Sequence, residues 1–218
     1  MLRRLQGTGQ PTIIKDSLRD ILVQISNNKT NQEIKQIFLK YKSQLEQSEN
    51  YYKQAEKILF EVIGLNDFKI LENLSYIVNY LVTKEIKRVD AEYFQPKYQK
   101  ILEKIKAKNA KLLGELVSFK KGYEPGSEAY QEDGKLFIRV SNLSKNGIDY
   151  KNQKYLSEEL YQKLRLDYEP KVGEILLSKD ASPGISYVVK EPVEGIVSGG
   201  ILRLKLKSDV EPEYISLC

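Results

Sequence analysis

From Asn31 to Ile63, NQEIKQIFLKYKSQLEQSENYYKQAEKILFEVI, the chain contains neither glycine nor proline. Few folds accommodate so long a stretch without a breaker. Ile34, Phe38, Tyr41, Leu45, Ser48, Tyr52, Ala55, Leu59 and Val62 recur at alternating steps of four and three, which is a heptad seam. Glu33, Lys35, Lys40, Lys42, Glu46, Glu49, Lys53, Glu56 and Lys57 occupy the other faces and suit solvent. Asn28 or Thr30 is the expected N-cap, with Glu33 closing a capping box on Thr30. Gly64 is the expected C-cap. At about 1.5 Å per residue the run predicts a rod of roughly 50 Å, a spacer and docking element. Ser48 and Ala55 weaken the seam, so an ordinary long helix of a helical domain remains the alternative.

The segments around this helix are unlike one another. Residues 1–29 turn at Gly7 to Pro11 and offer two short mixed segments, Thr12–Lys15 and Leu18–Ile25, too little to bury a core. Residues 66–109 form a connector. Leu74, Ile77, Val78, Leu81 and Val82 there suit a helix, although the β-branched content also allows an extended piece. Pro96 suits a first helical turn, and Phe94, Tyr98, Ile101 and Ile105 repeat the four-three-four spacing. That second seam either pairs with the first or covers the domain that follows.

From residue 110 glycines punctuate short runs rich in Val, Ile, Leu and Tyr. Strands are expected at Gly114–Lys120, Leu136–Val140, Glu174–Ser178, Ser186–Lys190, Gly195–Ser198 and Ile201–Lys207. A short helix is expected at Ser157–Leu166, with Ser157 as cap and Leu160, Tyr161 and Leu164 on one face. The class is α+β with a curved, mostly antiparallel sheet. EPEYISLC reads as the start of a further helix, and the expectation is a fragment of a longer protein.

Composition narrows the chemistry. The 218 residues are 41% hydrophobic and 30% charged, the balance of a soluble protein. The absence of histidine removes Ser-His-Asp, Cys-His and His-bearing metal chemistry from this stretch of chain. The lone Cys218 leaves no internal disulfide to form and suits a reducing cytoplasm. There is no phosphate-binding loop, no Pro-Pro-aromatic methyltransferase core and no apolar run of membrane-spanning length. Glu-x-Lys triplets at Glu33, Glu85 and Glu169 are expected by chance in a chain this rich in both residues. A net charge of +5 favours an anionic partner only mildly.

Four segments then occur in a telling order: LGELVSFKKGYEP, LFIRVSNLSKNGID, KVGEILLSKDASPG and GIVSGGILRLKLKSDVEPEYI. Together they resemble a target-recognition domain of the DNA-specificity (S) subunit of type I restriction–modification systems. GTGQPTIIKDSLRDILVQIS resembles the closing segment of a preceding recognition domain, the Asn31–Leu65 helix the spacer between two such domains, and KRVDAEYFQPKY the lead-in to the second. Ser26 stands where the closing segment often has proline. Glu174 and Ala181 stand where the family commonly has Asp and Gly. The resemblance implies a long coiled-coil-type helix joined to a mixed, mostly antiparallel target-recognition domain. It also implies a cytoplasmic, non-catalytic subunit with no cofactor and no metal, which binds double-stranded DNA. Its helices would seat methyltransferase (M) subunits that use S-adenosylmethionine, and the assembly would recruit a restriction (R) subunit. The specificity region of a single-chain restriction–methylation enzyme and a coiled-coil protein-interaction module are the alternatives.

DNA recognition needs cations for phosphates and hydrogen-bonding side chains on loops for base edges. Lys120 and Lys121 end the first strand beside Gly122 and Tyr123, where a solvated basic turn is the plain reading. Arg139 lies among apolar neighbours and needs a partner, either nucleic acid or an internal carboxylate. Ser141 and Asn142 follow it, and Asn can bond adenine in two places, although it is also a routine turn residue. Lys179, Ser182 and Gly184 form a loop of small residues open to a phosphate. Ser198 with Gly199 and Gly200 forms another, where the glycines can serve strand geometry alone. Tyr123, Tyr130 and Tyr187 can touch bases or pack. On the helix, Ile34, Phe38, Tyr41, Leu45, Tyr52, Leu59 and Val62 are the expected partner-binding residues.

Overall fold

The computed structural model of this chain describes residues 5–6, 12–13, 18–19, 21–69 and 75–218. The turn expected at Gly7 to Pro11 and the helical position expected for Leu74 lie outside the described residues. The chain divides into two compact units, Met1–Ala55 and Glu56–Cys218.

In the first unit, β1 (Leu5–Gln6) pairs antiparallel with β2 (Thr12–Ile13), Leu5 opposite Ile13. The long helix α1 (Asn28–Ile63) starts earlier than its heptads require. Its cap is Asn27, not Asn28 or Thr30: the Asn27 side-chain oxygen accepts from the Thr30 amide at 2.9 Å. The third helical position is then Thr30, so Glu33 lies beyond the place that closes a capping box. Ser26 adds to this start, because its carbonyl accepts from the Asn31 side-chain amide at 3.1 Å. Ile34, Phe38 and Tyr41 are each 59% exposed and Leu45 is 41% exposed.

The second unit takes in the end of α1. Gly64 adopts φ +74°, and Leu65 N donates to Phe60 O at 2.8 Å while Gly64 N donates to Glu61 O at 3.2 Å. Those two bonds make the Schellman closure that the glycine predicts. In this unit Leu59 is buried and Val62 is exposed. The first helix of the connector is α2 (Tyr80–Ile86) among the described residues, and Asn79 caps it by accepting from Leu81 N at 2.9 Å. Ile77 and Val78 precede that cap in irregular backbone. Pro96 opens α3 (Pro96–Lys106), as expected, and Lys104 donates to Gly64 O at 3.0 Å.

The strand expected over Gly114–Lys120 is divided. One helical turn, α4 (Leu113–Leu116), precedes β3 (Val117–Lys121), because Glu115 N closes on Leu112 O at 2.9 Å before Val117 enters the sheet. β4 (Lys135–Ile138) stops short of Val140 because residues Val140–Asn142 curl into a 3-10 turn. The remaining elements are β5 (Leu143–Ser144), β6 (Gly147–Ile148), β7 (Lys154–Leu156), α5 (Glu158–Tyr168), β8 (Ile175–Ser178), β9 (Ser186–Val188), β10 (Gly195–Val197), β11 (Ile201–Leu206) and α6 (Pro212–Leu217). A four-stranded antiparallel sheet has the order β3-β11-β8-β9. A three-stranded sheet, β10-β4-β7, joins β10 to β4 in parallel and β7 to β4 antiparallel, and β5 and β6 form a hairpin. The α+β class is therefore observed, with one parallel pairing among its described ladders.

Strand alternation builds the core. Leu136 and Ile138 of β4 face one cluster with Leu143, Leu176, Val189, Val197 and Ile201. Phe137 of β4 and Ile196 of β10 point to the opposite cluster with Leu156 and Tyr161. β4 is buried on both faces for that reason. Each such side chain contributes about 1.5–3 kcal/mol by leaving water. Ser157 caps α5 as expected, accepting from Leu160 N at 3.2 Å, and Leu160 and Leu164 pack beside Tyr161. A third cluster unites Val117, Ile175, Val188 and Leu204.

One ion pair lies inside. Arg203 is 4% exposed and grips Glu174 through two bonds, Nε to Oε2 at 2.8 Å and Nη2 to Oε1 at 2.9 Å. Its third nitrogen, Nη1, donates to Asp167 O at 2.6 Å, which ties the end of α5 to β11. Glu174 also accepts from Lys171 N at 3.0 Å.

Candidate nucleic-acid interface

The chain leaves its strands through loops that converge at one end of the α+β domain. The exit of β3 lies against the β10–β11 turn: Gly122 N donates to Ile201 O at 3.1 Å, Tyr123 N to Val197 O at 2.8 Å and Gly199 N to Tyr123 O at 2.6 Å. Gly122 is required by that approach, since a Cβ there would lie 2.1 Å from Ser198 O. The loop after β8 joins the same turn through Lys179 N, which donates to Gly200 O at 2.9 Å. The turn after β4 comes in beside it, because a Cβ on Gly200 would meet Val140 Cγ2 at 3.0 Å. Loops from four different strands thus share one edge.

Of the residues expected there, Lys121, Tyr123, Lys179 and Ser198 are brought together on that edge. Lys121 Nζ pairs with Glu124 Oε2 at 2.9 Å, and Lys179 Nζ with Asp180 Oδ2 at 2.6 Å. Glu124, by hydrogen bond and charge, holds the Lys121 ammonium above its ordinary pKa, with Asp180 adding a smaller effect. Ser198 is buried and serves the edge through its backbone, its N–H bonding Ile138 O at 2.9 Å. Ser182 is exposed in the loop after β8, where its carbonyl accepts from Ser178 Oγ at 2.6 Å. The loop turns at Ala181, which takes φ +57°, the left-handed region that favours the glycine its resemblance leads one to expect.

The other expected residues go elsewhere. Lys120 reaches Asp167 Oδ1 at 2.7 Å and lies over the Tyr168 ring, beneath α5 rather than on the loop edge. That hydrogen bond and charge hold the Asp167 carboxyl below its ordinary pKa. Within the chain Arg139 meets a carbonyl rather than a carboxylate, with Nη2 donating to Asn152 O at 2.5 Å. Its Nε is buried without a protein partner. Asn142 is 1% exposed, and its side-chain amide donates to Asp149 O and Lys151 O, both at 3.1 Å. Both amide protons are thereby used, so Asn142 shapes the loop and offers a base edge no donor. Ser141 beside it is exposed. Tyr123 packs on Tyr168 with ring centroids 5.4 Å apart, and Tyr130 on Phe137 at 5.6 Å.

Glu124 and Asp180 escaped the sequence reading, although each sits next to or one turn from a lysine that it selected. Among the described residues no group of His, Cys, Asp and Glu is placed to hold a metal ion, and no helix is long and apolar enough to cross a membrane.

No family model matches the chain, and no curated protein does. Its structural neighbours come from type I restriction–modification systems. The HsdS subunit from Thermoanaerobacter tengcongensis is 12% identical, with a TM-score of 0.37, over 99% of this chain and 48% of that one. The S subunit of the type I restriction–modification system from M. genitalium is 16% identical, with a TM-score of 0.33, over 99% of this chain and 48% of that one. A structure from a description of complex assembly and conformational transition in the type I R-M system is 15% identical, with a TM-score of 0.35, over 96% and 47%. The chain spans about half the length of each. At those TM-scores the likeness assigns no role to any residue.

Proposed function

We propose that this chain contributes sequence-specific recognition of double-stranded DNA as part of a type I restriction–modification specificity subunit. It has no catalytic role in this reading and directs M and R subunits to the site it binds. The observation that carries the reading is the convergence of four loops on one edge, each from a segment that bears the family resemblance. Lys121 and Lys179 on that edge meet phosphates, with Ser141 and Ser182 exposed nearby for polar contacts. Arg139 contributes by leaving Asn152 for DNA, and Tyr123 supports the edge from behind. Lys120, below α5, stands at its margin, and Ser198 acts through its backbone. The exposed seam residues Ile34, Phe38, Tyr41 and Leu45 are the docking surface for a partner helix or subunit, whereas Leu59 is buried and does not take part.

Fluorescence anisotropy with a labelled duplex tests this, using the chain with and without an M subunit encoded beside it. Binding by the chain alone is expected to be weak, with log affinity falling linearly against log salt. On a duplex that carries the recognised sequence, Lys121→Gln and Lys179→Gln are each expected to flatten the slope by about 0.9, the loss of one phosphate contact. Binding indifferent to salt, or unmoved by either substitution, overturns the placement of the recognition edge.

A further inference from the structure

We infer that Glu124 and Asp180 are specificity-determining residues that hold Lys121 and Lys179 in internal ion pairs and so suppress binding to DNA of the wrong sequence. This rests on the DNA-recognition reading above.

The edge is electrically balanced. Lys121 and Lys179 bring two positive charges, Glu124 and Asp180 two negative ones, and the two pairs close at 2.9 Å and 2.6 Å. The chain's net charge of +5 therefore draws nothing from these four residues. Both acids are gathered on the Gly199-Gly200 turn: a Cβ on Gly199 would lie 2.9 Å from Glu124 Oε2, and one on Gly200 would lie 3.6 Å from Asp180 Oδ2. Side chains are missing where the two carboxylates come closest to the backbone, so the pairs sit side by side across one turn. Arg139, the nearby cation, is turned to the Asn152 carbonyl.

Fold stability does not explain this arrangement. The side chains of Lys121 and Glu124 are 54% and 74% exposed and those of Lys179 and Asp180 32% and 57%, and pairs so open to water contribute little. Binding offers the explanation. Sequence-independent affinity for DNA comes almost wholly from cations that neutralise phosphates. A reader that must find one site among very many competing ones gains by keeping that term small. A lysine already paired to its own carboxylate attracts a passing phosphate weakly. It is released only where base contacts compensate for the broken pair. The matched loops would then engage phosphates at the right sequence and leave others alone.

The test uses the 218-residue chain and a labelled mixed-sequence duplex, titrated across a salt series. The variant Glu124→Gln with Asp180→Asn is expected to bind that duplex tighter by about three- to tenfold per carboxylate removed. Its salt slope should steepen by up to about one for each lysine freed. Adding Lys121→Gln and Lys179→Gln should cancel the gain, and the thermal midpoint should stay where it was, since neither acid is buried. If the wild-type chain retains duplex and the carboxylate variant gains nothing or binds more weakly, the inference is wrong while the recognition reading stands. A chain that retains no duplex in either form overturns the recognition reading and the inference with it.

Discussion

The Arg203–Glu174 pair and the Lys121–Glu124 and Lys179–Asp180 pairs are the same chemistry in two places. Inside, Arg203 and Glu174 meet through a planar two-bond grip, and the remaining guanidinium nitrogen is occupied by the Asp167 carbonyl. At the edge, each lysine meets one carboxylate through a single contact in water. Burial decides what each pair does. A buried charge must keep its partner or incur a large desolvation cost, so the interior pair holds α5 and two strands in register. An exposed pair opens at little cost, so the edge pairs remain available for exchange with an outside ligand.

The largest expected effect lies inside. Arg203→Ala leaves the buried Glu174 carboxyl with only the Lys171 amide to bond it, and should cost about 3–5 kcal/mol in denaturant unfolding. Replacing both partners together, Arg203→Met with Glu174→Leu, should recover most of that loss. A single substitution that costs no more than an exposed one would erase the distinction between the two regions.

A second interior group sharpens the comparison through pH. Tyr161 is buried and donates its hydroxyl to Glu169, and burial first, then that bond and charge, push its phenol up to about 12. The folded state therefore keeps a proton that the unfolded chain gives up near pH 10. The stabilisation is complete below pH 10 and falls as pH rises from 10 to 12, by an amount on the order of 2–3 kcal/mol. Stability measured by denaturant across that window should decline in the native chain and decline less steeply in Tyr161→Phe. Equal slopes would mean that the phenol is not held as described.

The smallest effect lies at the edge and runs the other way. Ala181 holds φ +57° in the loop after β8, a conformation that costs an L side chain roughly 1 kcal/mol. Ala181→Gly should raise the unfolding free energy by something under that amount, because glycine also gives the unfolded chain more freedom. A clear loss of stability would show that the loop does not rely on the left-handed turn.

Much of the architecture was legible because it is written in local periods. The heptad spacing, the freedom from breakers and Gly64 foretold α1 and its end, and Ser157 with Leu160, Tyr161 and Leu164 foretold α5. β8, β9, β10 and β11 fell within a residue or two of their expected ranges. The misreadings came where one turn of backbone competes with a strand, at Leu113–Leu116 and Val140–Asn142. A run of apolar residues has no periodicity that separates those outcomes. The helix start was missed because Asn27, Asn28 and Thr30 are all good caps, and only the geometry of the preceding Ser26 turn selects among them.

The candidate site divides in the same way. Residue type alone marked Lys121, Lys179 and the small-residue loops, because cations and open backbone are what a phosphate requires. For Asn142 it left a base contact and a turn both open, and the amide is taken by carbonyls seven and nine residues on; for Arg139 it offered nucleic acid or a carboxylate, and the contact within the chain is a carbonyl. By itself the sequence determined the long helix, its glycine closure, the α+β class and the positions of β8 to β11, since each follows from spacing along the chain. Only the tertiary structure decided that β10 runs parallel to β4, that Glu174 answers Arg203, and that two acids answer the two lysines of the recognition edge. Those pairings join residues from different loops and strands, or choose among adjacent charges, and no period in the chain encodes a partner that folding brings from elsewhere.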